Sequence, residues 1–276
     1  MTEAGGISFF HVIVYLALGT GTNCIRIYIN HFLPFLIQWQ VYKCQFTSTE
    51  FTDDQKSEIC TRENICDGDP RITSWEIDYS NENSLRNLNQ QLDLICEPEW
   101  KGGLLGTVLY FFWCISLLFV PRLADKFGRR WLYLVARICE SLLYIASMFT
   151  NDYWVMLGIM STFGLMAAGR INVSTVYLQE WVPRKYQTNV SVISVMEQSL
   201  GTIINVLLMW FVTQDTYDIR MIGLVMCLIS IPATIILPES PRLLAAKGRV
   251  QELEKAFVSM AWFNRKKITL TQEKIA

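Results

Sequence analysis

The sequence predicts an all-α integral membrane protein with six transmembrane helices. Three observations carry that expectation. Six apolar runs have membrane-spanning length, the short loops between them alternate between basic and non-basic, and one acidic, cysteine-bearing segment falls opposite the basic loops. Of the 276 residues, 51% are hydrophobic.

A helix rises 1.5 Å per residue, so about 20 apolar residues cross the ~30 Å hydrocarbon core. The runs lie near 7–29, 103–121, 131–150, 153–177, 189–212 and 219–238. The first is too long, and too poor in flanking basic residues, for a cleaved signal peptide. Four parts follow: 1–43 holds the N-terminus and first helix, 44–100 a large outer loop, 101–238 helices two to six, and 239–276 an amphipathic helix and tail.

Orientation comes from the short loops. Arg122, Lys126, Arg129 and Arg130 follow the second run, Arg184 and Lys185 the fourth, and Arg242, Lys247 and Arg249 the sixth. The intervening loops, Asn151-Asp152 and Thr213 to Ile219, carry no Lys or Arg. The positive-inside rule places the basic loops and both termini in the cytoplasm or its organellar equivalent.

Residues 44–100 therefore lie outside. They hold thirteen Asp/Glu against four Lys/Arg, and half of the eight cysteines: Cys44, Cys60, Cys66 and Cys96. A loop of this length folds on its own or serves a function. Zinc would want short CxxC pairs; on an oxidising face the expectation is two disulfides, with three connectivities open. Cys24, Cys114, Cys139 and Cys227 fall within helices and read as small packing residues. The outer loop has no N-x-Ser/Thr sequon; the two present, at Asn172 and Asn189, lie in or beside helices.

Several function classes drop out. No basic stripe with interleaved aromatics suggests nucleic acid, no GxxxxGK[ST] suggests a nucleotide, and His11 and His31 are too few for a metal site or hydrolase triad. The expectation is no enzyme, no cofactor and no metal.

Four strings are specific. The loop after the second run reads PRLADKFGRRW. Physically it is a tight basic hairpin, with Asp125 expected at the positive start of the third helix, Gly128 at the bend, and Arg129 and Arg130 on the anionic surface. It resembles the G-x-L-A-D-R-x-G-R-R signature of the major facilitator superfamily. LDLICEPEWKGGLLGTVL, YLQEWVPRKYQ and LPESPRLLAAKGRVQELEKAF resemble, in order, segments of the organic cation and anion transporters, solute carrier family 22. The resemblance runs from about residue 7 to 257.

The resemblance implies the N-terminal lobe of the major facilitator fold, six helices arranged as a 3+3 inverted repeat. It implies a cytoplasmic gating network of Asp125, Gly128, Arg129, Arg130, Glu180, Glu239 and Arg242. Departures stand at Pro121 for Gly, Gln187 for Arg and Leu243 for Trp. Family members pair two such lobes and rock one against the other. The sequence is thus expected to represent one lobe of a secondary transporter for small organic ions, truncated or a half-transporter. The alternative is a transport-inactive scaffold or subunit of a membrane complex. Expected partners are the lipid bilayer, a small organic ion, and a second six-helix lobe or a membrane complex. The resemblance implies the plasma membrane, while the missing sequons leave an organellar membrane open.

Charges inside the apolar runs need partners. Arg137 and Glu140 share a helix face, either as a self-neutralising pair or with Glu140 toward an aqueous cavity. Arg170 and Glu197 fall at similar depth on adjacent helices, and a pair between them is expected. Gln198 and Asn205 share a face of the fifth helix. In the family, helices one, two, four and five line the cavity. The resulting candidates are Tyr110, Trp113, Arg170, Tyr177, Glu197 and Gln198, with Phe111 as a further aromatic. Arg170 stands where the family is apolar, which favours anions over cations.

Overall fold

A computed structural model describes residues 9–27, 33–46, 60–81 and 84–265. His31, Asn83 and the side chain of Cys24 lie outside the described residues. Helix α1 runs as Phe9–Tyr15, a π-helical turn Leu16–Thr20, and Gly21–Arg26. The ends of the first expected span fall outside the described residues. Five further helices are long and apolar enough to cross a membrane. They are α2 (Trp100–Leu117), α3 (Arg129–Phe149), α4 (Tyr153–Trp181), α5 (Gln187–Phe211) and α6 (Thr216–Ile236). An amphipathic helix α7 (Val250–Phe263) follows, with Leu253, Ala256 and Met260 buried. Short helices Val120–Phe127 and Pro241–Ala246 precede α3 and α7, each with a proline in its first turn, where its missing N–H costs nothing.

The helices enclose two apolar cores. The inner one joins Phe10, Val14 and Leu18 of α1 to Tyr177 and Trp181 of α4, and to Leu253 and Met260 of α7. The outer one joins Leu105 and Leu109 of α2, Tyr144 of α3, and Met156 and Phe163 of α4 to Leu85, Leu88, Leu92 and Leu94 of the outer segment. Between the cores lies a belt of buried polar side chains: Thr22, Asn23, Arg137, Glu140, Ser141, Arg170 and Ser174.

The close approach of α2 and α4 depends on Gly164. A methyl built there would run into the carbonyl of Leu109 and lie 3.0 Å from the Trp113 nitrogen. Backbone cannot step aside as a side-chain tip can. Gly158, on the same helix, faces open space, as does Gly102. Gly164→Ala is expected to destabilise by about 1–3 kcal/mol, whereas Gly158→Ala should be neutral or slightly stabilising. Thermal unfolding of the two variants in micelles checks the contrast.

The outer segment is not an independent appendage. Its two disulfides are Cys44–Cys60 and Cys66–Cys96. Strands β1 (Tyr42–Phe46) and β2 (Ile72–Ile77) pair antiparallel. Near them Arg71 grips Asp69 at 2.9 and 2.6 Å and holds its carboxyl down at about 2. Residues 84–97 then dock on the helix ends. Gln91 donates to the carbonyls of Ser147 and Thr150 at the end of α3 (2.9 and 2.7 Å) and accepts from Arg220 of α6 at 3.1 Å. Asn87 and Asn89 donate to carbonyls of residues 35–38.

Candidate functional site

Two polar sites are built on this frame, one at the inner ends of the helices and one at mid-depth. At the inner site, Val120–Phe127 and α3 meet at Gly128, whose φ of 113° suits glycine. A Cβ there would strike the carboxylate of Glu239. That carboxylate accepts from the Arg129 and Arg130 backbone N–H groups, each at 3.1 Å. Glu239, not Asp125, is therefore the anion at the positive start of α3. Asp125 lies one turn earlier, inside Val120–Phe127, and pairs with the Arg129 side chain at 3.2 Å.

Arg129 also reaches Glu180 on α4 at 2.5 Å, and Glu180 accepts from the Ser240 hydroxyl. One guanidinium thus ties the α2–α3 hairpin to α4, and Glu180 continues the tie to the segment after α6. Arg130 turns away and donates to the Ile235 carbonyl at 2.5 Å. Arg242 is exposed and makes no ion pair among the described residues. Gln187, where the resemblance has Arg, donates to the Gln179 carbonyl at 2.7 Å, satisfying an acceptor at the end of α4.

At mid-depth the expected pairings are replaced. Arg170 of α4 pairs with Glu140 of α3 at 2.6 Å, not with Glu197, and also donates to the Thr22 carbonyl of α1 at 3.0 Å. Arg137 lies within electrostatic reach of Glu140, but its hydrogen bonds run elsewhere. It turns to α6, donating to Ser230 at 2.8 Å and to the Cys227 sulfur at 3.0 Å. Glu197 of α5 accepts from the Tyr15 hydroxyl at 2.6 Å and from Asn23 at 3.3 Å, both on α1. The physical reason is angular. Residues three apart on a helix differ by about 60° in direction, enough to aim Arg137 at one neighbour and Glu140 at another.

The remaining candidates divide. Tyr177 is buried, packs in the inner core and donates to the Pro238 carbonyl. Asn205 is buried and donates to Gly201 of its own helix at 2.8 Å. Tyr110 is exposed and stacks on Trp113 with centroids 6.1 Å apart; Phe111 is exposed on the same helix. Gln198 lines a cleft of about 170 Å³ between α1, α4 and α5, with Thr22, Asn23, Arg26, Ser174 and Ser194.

Arg26 was not among the expected residues. It forms no ion pair among the described residues, its Nε is buried without a hydrogen-bond partner, and it lies within electrostatic reach of Arg170 and Tyr110. Thr22, Asn23 and Arg26 recur at helical spacing at the end of the first apolar run, and that polar stripe was the available signal. Three guanidinium groups (Arg26, Arg137, Arg170) and two carboxylates (Glu140, Glu197) share this layer, and of the three cations Arg26 is the one that lines the cleft.

The chain is 28% identical over 191 residues to solute carrier family 22 member 16 of Bos taurus, covering 68% of this chain and 32% of that protein. It is 26% identical over 207 residues to solute carrier family 22 member 7 of Rattus norvegicus, covering 74% and 38%. The chain spans about a third of the length of these relatives, and it resembles their family. Residues 101–271 match the Major Facilitator Superfamily profile. That match takes in the Gly128 hairpin, the Arg129–Glu180 tie and helices α2 to α7, more than half of the sequence, and the chain belongs to the Major Facilitator Superfamily.

Proposed function

We propose that the chain is one six-helix lobe of a multi-pass membrane transporter, arranged as a 3+3 inverted repeat, and that the α1/α4/α5 cleft contributes to a site for a small organic anion. In this reading residues 239–276 lie on the cytoplasmic side, 44–100 outside, and a second lobe completes the cavity. One observation supports the substrate sign: Arg26 lines the cleft without a carboxylate partner among the described residues, while Glu140 and Glu197 are taken by Arg170, and by Tyr15 and Asn23. A half-buried cation with its Nε shut away from solvent is costly, and an anion that pairs with it recovers part of that cost. Tyr110 and Trp113 supply flat apolar surface close to it, and Gln198, Asn23 and Ser194 supply hydrogen bonds.

The test is equilibrium binding and proteoliposome uptake with the full chain, using labelled benzoate as the aromatic anion and tetraethylammonium as the cation. Benzoate is expected to bind in preference. Arg26→Gln should weaken it by about 1.5–3 kcal/mol, the value of a charge-assisted hydrogen bond, or roughly 10- to 100-fold. Equal binding of benzoate by Arg26→Gln and wild type sinks the assignment. Flat traces for both probes favour the alternative, a transport-inactive scaffold held by its buried Arg170–Glu140 pair.

A further inference from the structure

A second polar cavity lies at the inner membrane boundary, away from the cleft. It has a volume of about 390 Å³ and sits between the start of α3, the end of α6, and α7. That size belongs to small-molecule sites and exceeds what a single ion needs. Its basic side chains come from three elements: Arg130 at the start of α3, Arg249 just before α7, and Lys255 on α7. Ser259 adds a hydroxyl one turn beyond Lys255.

The two acidic residues on its wall are already engaged. Glu239 accepts from the Arg129, Arg130 and Ser240 backbone N–H groups, at 3.1, 3.1 and 3.0 Å. Glu252 pairs with Arg249, with Arg249 Nε at 2.8 Å. Lys255 is exposed and has no ion pair among the described residues. Arg130 spends one nitrogen on the Ile235 carbonyl, and its buried Nε has no hydrogen-bond partner. The cavity therefore presents unspent cationic donors.

Its rim identifies the source of the ligand. Phe127 and Trp131 line the cavity and are 63% and 60% exposed. Both flank Arg129 and Arg130, where α3 enters the bilayer from the basic side. Aromatic side chains at that level anchor at the headgroup interface, and basic pockets on the cytoplasmic side of membrane helices take phosphorylated headgroups. We propose that this cavity binds the phosphate-bearing headgroup of an anionic inner-leaflet lipid. Arg130, Arg249 and Lys255 would hold the phosphates, Ser259 would donate a hydrogen bond, and Phe127 and Trp131 would lie along the lipid.

The experiment is native mass spectrometry of the full chain in micelles, titrated with phosphatidylinositol bisphosphate, phosphatidylserine, phosphatidylcholine or soluble inositol trisphosphate. Phosphatidylinositol bisphosphate is expected to bind most tightly. At about 1 kcal/mol for each cation near the surface, Arg249→Ala/Lys255→Ala should weaken it about 30-fold. Lys185→Ala, a basic residue on the same face outside the cavity, should leave it unchanged. Both substituted cavity residues lie at the surface, so folding is preserved. The site is overturned if the double variant binds like wild type, or if Lys185→Ala loses as much. Inositol trisphosphate binding as tightly as the lipid overturns the lipid source. None of these outcomes depends on the organic-anion reading.

Discussion

Glu140→Ala is expected to destabilise the fold by about 3–5 kcal/mol, the cost of breaking a buried ion pair from one side. Glu140 and Arg170 are 0% and 2% exposed. Removing the carboxylate leaves the Arg170 guanidinium with the Thr22 carbonyl as its hydrogen-bond partner and with Arg26 and Arg137 nearby as like charges. The reciprocal substitution separates the cost of an orphaned charge from the worth of the pair. Glu140→Leu with Arg170→Met removes both charges at similar volume and should recover most of the loss. Unfolding of the two single variants and the double in micelles closes the cycle. A single variant within about 0.5 kcal/mol of wild type contradicts a buried pair at this position, since surface pairs have that value.

The same pair marks where the sequence stops being readable. The six runs and the loop charges depend on composition along one helix at a time, and that information is local. Five of the runs reappear as α2 to α6. The Gly128 hairpin was legible for the same reason, because a short turn with a following Arg pair is a contiguous string. Which side chain faces which helix is a matter of helix order and rotation about each axis, and neither is written locally. Arg137 and Glu140 therefore looked like partners by spacing, and Arg170 and Glu197 by depth, yet Arg170 took Glu140, Arg137 took Ser230, and Glu197 took Tyr15. Glu239 replaced Asp125 at the start of α3 by a contact spanning about a hundred residues of chain. Arg26 escaped notice because it ends an apolar run, where a lone cation ordinarily marks the membrane boundary.

Cys66→Ser/Cys96→Ser is expected to cost about 3–4 kcal/mol, from the loop entropy released when a cross-link of sequence separation 30 is removed. Cys44→Ser/Cys60→Ser, of separation 16, should cost about 3 kcal/mol. The longer bridge also has more structure depending on it. It clamps the short helix Arg62–Cys66 to the segment that runs into α2. There Arg62 donates to the Ile95 and Glu97 carbonyls, both at 2.6 Å, and lies 3.7 Å over the Trp39 ring. That segment carries Leu85, Leu88, Leu92 and Leu94 into the outer core and Gln91 onto α3 and α6, so loosening it should expose the outer helix ends first. Hydrogen exchange is expected to rise at 145–150 and 216–224, while the Arg129–Glu180 region keeps its protection. Reductant should give the wild type the behaviour of the serine variants. A uniform rise through both cores, or no rise at all, contradicts the docking of this segment. The distinction matters because the disulfide-bonded segment and the charge-tied opposite end are stabilised by different chemistry, covalent at one end and ionic at the other. Each can therefore be loosened without loosening the other.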